Sequence, residues 1–171
     1  YFDNNDNVID NKLHIDVGYY QSLKHVSIEA IEVVANALID HLNLRNMPSS
    51  TEFAIHVRAP SSGTGREHPQ FISNKDVMRI QDHAKKNNLM FKIVTNDIKS
   101  ALSLFPFANE NNFYVGNNAQ EDFIFLSLSK NLFITNSTFS FWAYFCSNQL
   151  YLEKEIRTDE FWYSDFLDKR T

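Results

Sequence analysis

The spacing of apolar and polar positions switches along the chain between the helical period and the strand period. Over residues 27–42 the apolar side chains are Ile28, Ile31, Val34, Ala35, Leu38, Ile39 and Leu42. Steps of three and four put them on one helix face. Ser27 stands where an N-cap belongs, and Pro48 with Ser49-Ser50 closes the unit. Phe53-Ala54-Ile55-His56-Val57-Arg58 reads as a strand, with His56 turned inward alongside Ala54 and Arg58. A polar stretch over 59–71 with Pro60, Gly63, Gly65 and Pro69 predicts a loop. Asn74 starts a helix through Val77, Ile80, Gln81 and Ala84, and residues 89–94 form the next strand. A short helix to Leu104 is stopped by Pro106, and a short strand over 113–115 by Gly116-Asn117-Asn118. The pattern then predicts a helix over 122–130, a buried strand over 132–135 and an aromatic helix over 139–146. Further strands are expected at 13–17 and 150–152, and a last helix at 160–167.

Strands that alternate with helices of this length argue for a doubly wound α/β layer around a parallel sheet. Residues 1–12 are rich in Asn and Asp without periodicity and predict a flexible lead-in; residues 13–171 are expected to form one domain. Apolar residues make up 43% of the chain, enough for a packed core and too many for a disordered segment.

Charge adds a local feature. The net charge of −5 argues against a general nucleic-acid binder. Yet residues 56–99 carry eight basic and four acidic side chains, a combination suited to a small anionic ligand. The one cysteine, Cys146, cannot form an internal disulfide and fits a reducing compartment. No apolar run approaches the length of a membrane span.

Four places at predicted strand ends carry candidate chemistry. His56-x-Arg58 puts a guanidinium at a strand's carboxyl end, where it can fork onto two phosphate oxygens. Asn96-Asp97 offers a carboxylate for a ribose hydroxyl, or an ordinary helix start. Asp122 stands at the head of a helix, where an acid is also common for its fit with the helix dipole. Asn136-Ser137-Thr138 lies between a buried strand and a helix, a place that suits a phosphate. Locally, Ser137 or Thr138 also reads as a plain N-cap. Ser61-Ser62-Gly63-Thr64-Gly65 lacks the third glycine of a dinucleotide fingerprint.

In chain order these segments resemble the α-1,2-fucosyltransferases of bacterial glycosyltransferase family 11. Gly18-Tyr19-Tyr20-Gln21-Ser22 looks like that family's GY[FW]QS segment, and His56-Val57-Arg58 like the start of its HxRRGDY strand. Val94-Thr95-Asn96-Asp97 looks like its FSDD segment. The residues from Glu121-Asp122 to Ser127, then from Ile134 to Ala143, look like its eD-lMs and IIANSTFSWWgAWLN segments.

The resemblance implies a Rossmann-like parallel sheet with helices on both faces, the donor-binding half of a GT-B glycosyltransferase. The acceptor-side domain would precede Tyr1. It also implies transfer of fucose from GDP-fucose, or another nucleotide sugar, to a glycan acceptor. The transfer would invert the anomeric centre and require no metal or other cofactor. By the same resemblance Arg58 is the catalytic residue and holds the β-phosphate. Asp122 reads guanine with His56 nearby, and Asp97, Asn136, Ser137 and Thr138 complete the donor contacts. The expected location is the cytoplasm, with attachment at the periphery of the inner membrane left open. Ala59 stands in place of the family's second Arg, and Pro60-Ser61 in place of its Gly-Asp. That departure leaves a second reading open, a nucleotide- or glycan-binding domain without catalysis.

Overall fold

The computed structural model describes residues 28–58, 74–134 and 137–151. The lead-in, the expected strand at 13–17, the Gly18–Ser22 segment, Ser27, the loop at 59–71, Asn136 and the expected helix at 160–167 lie outside the described residues. So does the whole question of what precedes Ile28.

The described elements are α1 (Ile28–His41), β1 (Thr51–Val57), α2 (Asn74–Lys86), β2 (Phe91–Thr95), α3 (Ile98–Leu104), β3 (Phe113–Tyr114), α4 (Ala119–Ser127), β4 (Ser129–Phe133) and α5 (Thr138–Leu150). The four strands form one sheet in the order β3-β2-β1-β4, and every neighbouring pair is parallel. Helices cover both faces, so the expected Rossmann-like α/β layer is present.

Side-chain alternation along the strands sends each residue to one of two cores. Phe53, Ile55 and Val57 of β1 join Ile93 and Phe133 beneath Val77 and Ile80 of α2, Ala101 of α3 and Phe105 just past it. Ala54, Val94, Leu132 and Ile134 meet Leu126 of α4 and Ala143 of α5 on the other face. Outside that second face, Ile31, Ala35 and Ile39 of α1 pack on Phe145 and Cys146 of α5. Burying a side chain of this size stabilises the fold by about 1.5–3 kcal/mol. The central position of β1 therefore explains why Phe53 to Val57 are all buried. The inward position expected for His56 and Arg58 alongside Ala54 holds for His56 and not for Arg58. His56 is buried, and Arg58, one residue past the strand, is exposed.

Some boundaries and one buried position differ from expectation. Helix α4 ends at Ser127 and β4 begins at Ser129, so Ser129 and Lys130 are strand and not helix. The cause is tertiary. Ser129 pairs with Thr51, and the hydroxyls of Ser50 and Ser129 both reach the carbonyl of Phe125, at 2.6 and 2.8 Å. That carbonyl is among those a helix end leaves without a partner, and spacing along one segment cannot reveal such a cap. Leu150 and Tyr151 were expected to open a strand. Instead α5 runs through Leu150, which packs against the α1 cluster, and the Tyr151 hydroxyl donates to the Leu128 carbonyl at 2.8 Å. Val34, expected on the buried face of α1, is 42% exposed, because the contact stripe is the narrower Ile31-Ala35-Ile39.

Candidate active site

The strand order creates one distinctive place. From β1 the chain winds outward through β2 to β3, with α2 and α3 on one face. It then returns by α4 across the opposite face to β4, which lies on the other side of β1. The winding direction thus reverses between β1 and β4. In open parallel sheets the crevice beyond the carboxyl ends at such a reversal is where ligands bind. Arg58 follows the carboxyl end of β1, and Ser137 and Thr138 follow that of β4. The sequence-predicted residues therefore flank the switch point from both sides.

His56 looks into the same region. Its ring lies against Phe139 in the first turn of α5, centroids 5.4 Å apart, and Phe139 in turn meets Phe123 of α4 at 5.6 Å. Burial, with a further push from the Arg58 charge, lowers the His56 pKa to about 4, so the imidazole is neutral at physiological pH. Its Nδ1 is buried without a hydrogen-bond partner. An orphaned buried nitrogen costs stability, and a polar partner at this edge would relieve it. No carboxylate among the described residues pairs with Arg58.

Ser137 occupies the N-cap position of α5 with extended backbone, yet its side chain makes no capping hydrogen bond. It is buried, while Thr138 is exposed as the first helical residue. The local N-cap reading of the hydroxyl is thus not what the structure shows. The N–H groups and partial positive charge of a helix start suit an anion.

The other two candidates are already engaged. Asp97 caps α3: Oδ1 accepts from the Ser100 N–H at 3.1 Å and Oδ2 from the Ser100 hydroxyl at 2.7 Å. These bonds hold its carboxyl below the usual value, the side-chain bond most. Asp122 lies in the first turn of α4, beside the end of β3 and two strands along the edge from β1. Its Oδ1 accepts from the Gly116 N–H at 3.1 Å. Tyr114, at the end of β3, is stacked on Phe125 at 3.7 Å, and its phenol is pushed up by burial and then by the Glu121 and Asp122 charges.

Sequence reasoning missed two residues at this edge. The sequence reads Phe139 as the start of an aromatic helix within the Ile134–Ala143 segment, and Gly116 as a strand stop, without giving either a role at the site. An aromatic directly after Ser137-Thr138 was a usable sign; nothing in the sequence links Gly116 to Asp122.

The family model of glycosyl transferase family 11 matches residues 74–162, from the start of α2 to beyond α5. The chain belongs to glycosyl transferase family 11. By family it is a glycosyltransferase, as the order of its motifs implied. The matched stretch contains Asp97, Asp122, Asn136, Ser137 and Thr138, while His56 and Arg58 precede it. No curated protein and no solved structure matches the chain. No helix among the described residues is long and apolar enough to cross a membrane.

Proposed function

We propose that this family 11 glycosyltransferase binds GDP-fucose along the carboxyl edge of the sheet and transfers fucose to a hydroxyl of a glycan acceptor with inversion. The observation that carries the reading is the switch point, with Arg58 on one side and the uncapped start of α5 on the other. Guanine is received by Asp122, whose carboxylate can accept from guanine N1 and N2. The diphosphate extends towards Arg58, Asn136, Ser137 and Thr138, with the buried His56 ring behind the end of β1. Asp97 meets the ribose with lone pairs left over from its cap. The layer serves as the donor half of a GT-B arrangement.

In the reaction the acceptor oxygen forms a bond to the anomeric carbon from the face opposite the phosphate. The bond from that carbon to the β-phosphate oxygen breaks, GDP leaves with the electron pair, and the acceptor hydroxyl gives up its proton to solvent water. Arg58 and the α5 N–H groups stabilise the negative charge that grows on the departing phosphate. Charge stabilisation by fixed protein groups needs no metal or cofactor in this scheme.

Isothermal titration with GDP and GDP-fucose tests the reading. Arg58→Ala and Asp122→Ala are each expected to weaken binding by about 10- to 100-fold, the scale of a charge-assisted hydrogen bond. Binding equal to the parent in both variants would sink it. The reading without catalysis rests on Ala59 and Pro60-Ser61. Transfer of fucose from radiolabelled GDP-fucose to an acceptor glycan by the full-length protein separates the two.

A further inference from the structure

We propose that Gly116 is a positioning residue for nucleotide-base recognition, acting through Asp122. This rests on the reading of Asp122 as the acceptor for guanine. The Gly116 N–H donates to Asp122 Oδ1 at 3.1 Å. A Cβ at Gly116 would lie 2.6 Å from that oxygen, 3.1 Å from Glu121 Cβ and 3.2 Å from the Asp122 nitrogen. The first contact is closer than non-bonded atoms tolerate, so any side chain here pushes the carboxylate off its amide. The backbone at Gly116 is not in the left-handed region, so the glycine is required by this approach and not by its own conformation.

The neighbouring residues make the contact specific. Asn117 directs both its backbone and side-chain N–H groups to Glu121 Oε2, at 2.9 and 2.8 Å, and the Asn118 side chain accepts from the Glu121 N–H at 3.0 Å. Adjacent acids on α4 are therefore held by different amides, and Glu121 is drawn away from Asp122. A carboxylate offers about four lone-pair positions. With one taken by Gly116, the Asp122 carboxylate is restrained at Oδ1, while Oδ2 and the second lone pair of Oδ1 remain to accept two parallel N–H groups. Recognition of that kind depends on the angle of the plane as well as on charge.

Inosine diphosphate lacks the exocyclic amine of GDP and is the discriminating probe. The parent is expected to bind GDP about tenfold more tightly than IDP, the worth of one hydrogen bond to a charged group. In Gly116→Ala the preference should shrink to near one, GDP losing about tenfold more affinity than IDP, which has no amine contact to lose. A role in stability alone would weaken both nucleotides together. Retained preference in Gly116→Ala, or an equal loss for both nucleotides, overturns the proposal. Should that variant not fold, Asp122→Glu carries the test: it keeps the charge but moves the carboxylate one methylene beyond the Gly116 amide. The preference should again collapse, and its survival overturns the proposal. Asp122→Ala separates the two levels. If the parent shows no preference, or Asp122→Ala keeps it, the reading of Asp122 falls. If Asp122→Ala loses the preference and Gly116→Ala keeps it, only the role of Gly116 falls.

Discussion

The imidazole of His56 rests on the ring of Phe139, centroids 5.4 Å apart with the planes tilted by 40°. One ring comes from the end of β1 and the other from the first turn of α5, so the contact ties together the two sides of the switch point. Phe139 also meets Phe123 edge-on, which links α4 to the same junction. Replacing Phe139 by alanine should lower stability by about 2 kcal/mol, below the roughly 3–5 of a fully buried aromatic because the residue is only half-buried. It should also let water reach His56 and raise its pKa towards 6.5, which NMR titration of the imidazole protons can follow. An unchanged His56 titration would refute the contact.

The burial of His56 makes stability depend on pH in a defined window. Its pKa falls from 6.5 to about 4 on folding. Between those values the unfolded chain binds a proton that the folded chain does not. Stability therefore rises with pH across that window and is lost as pH falls from 6.5 towards 4. The full effect is about 3 kcal/mol. Urea unfolding at pH 7 and pH 4.5 should show the loss in the parent, and a much smaller loss in His56→Gln. Equal losses would place the acid sensitivity elsewhere.

Cys146 is fully buried against α1, its thiol reaching the Ala35 carbonyl at 3.7 Å. Burial pushes its pKa up to about 11. At pH 8 only about one molecule in a thousand carries the reactive thiolate. Modification by an aromatic disulfide reagent should therefore follow the rate of opening and become rapid only in denaturant. Stoichiometric labelling of the folded protein within minutes would contradict this packing.

Asp97 has a structural duty that can be tested apart from ligand binding. Asp97→Ala removes both bonds to Ser100 and should lower the melting temperature, while Asp97→Asn keeps an acceptor for the Ser100 N–H and should lower it less. Because the carboxyl is held below its ordinary value, its contribution is present above pH 3.8 and lost as pH falls below it. Nucleotide affinity should fall less in Asp97→Ala than in Asp122→Ala. The reverse order, by titration calorimetry, would move the main donor contact to the end of β2.

The elements and their order were legible in the sequence because helices and strands impose periods on their own residues. Val77, Ile80 and Ala84 repeat at helical spacing on α2, and a run such as Phe53 to Val57 needs burial on both faces. The motifs at strand ends, in sequence order, also pointed to the family. What the spacing could not supply was pairing between distant segments. Ser129 is strand because Thr51 lies beside it and Ser50 helps close α4. Tyr151 ends a helix because the Leu128 carbonyl is within reach of its hydroxyl. The same limit governs the site. Sequence placed His56, Arg58, Asp122 and Ser137 at one edge of a parallel sheet, without the order of its strands. Only the order β3-β2-β1-β4 set the ends of β1 and β4 side by side, and only the fold brought the Gly116 amide to Asp122. A period is a property of consecutive residues, whereas adjacency at a sheet edge depends on the path of the whole chain.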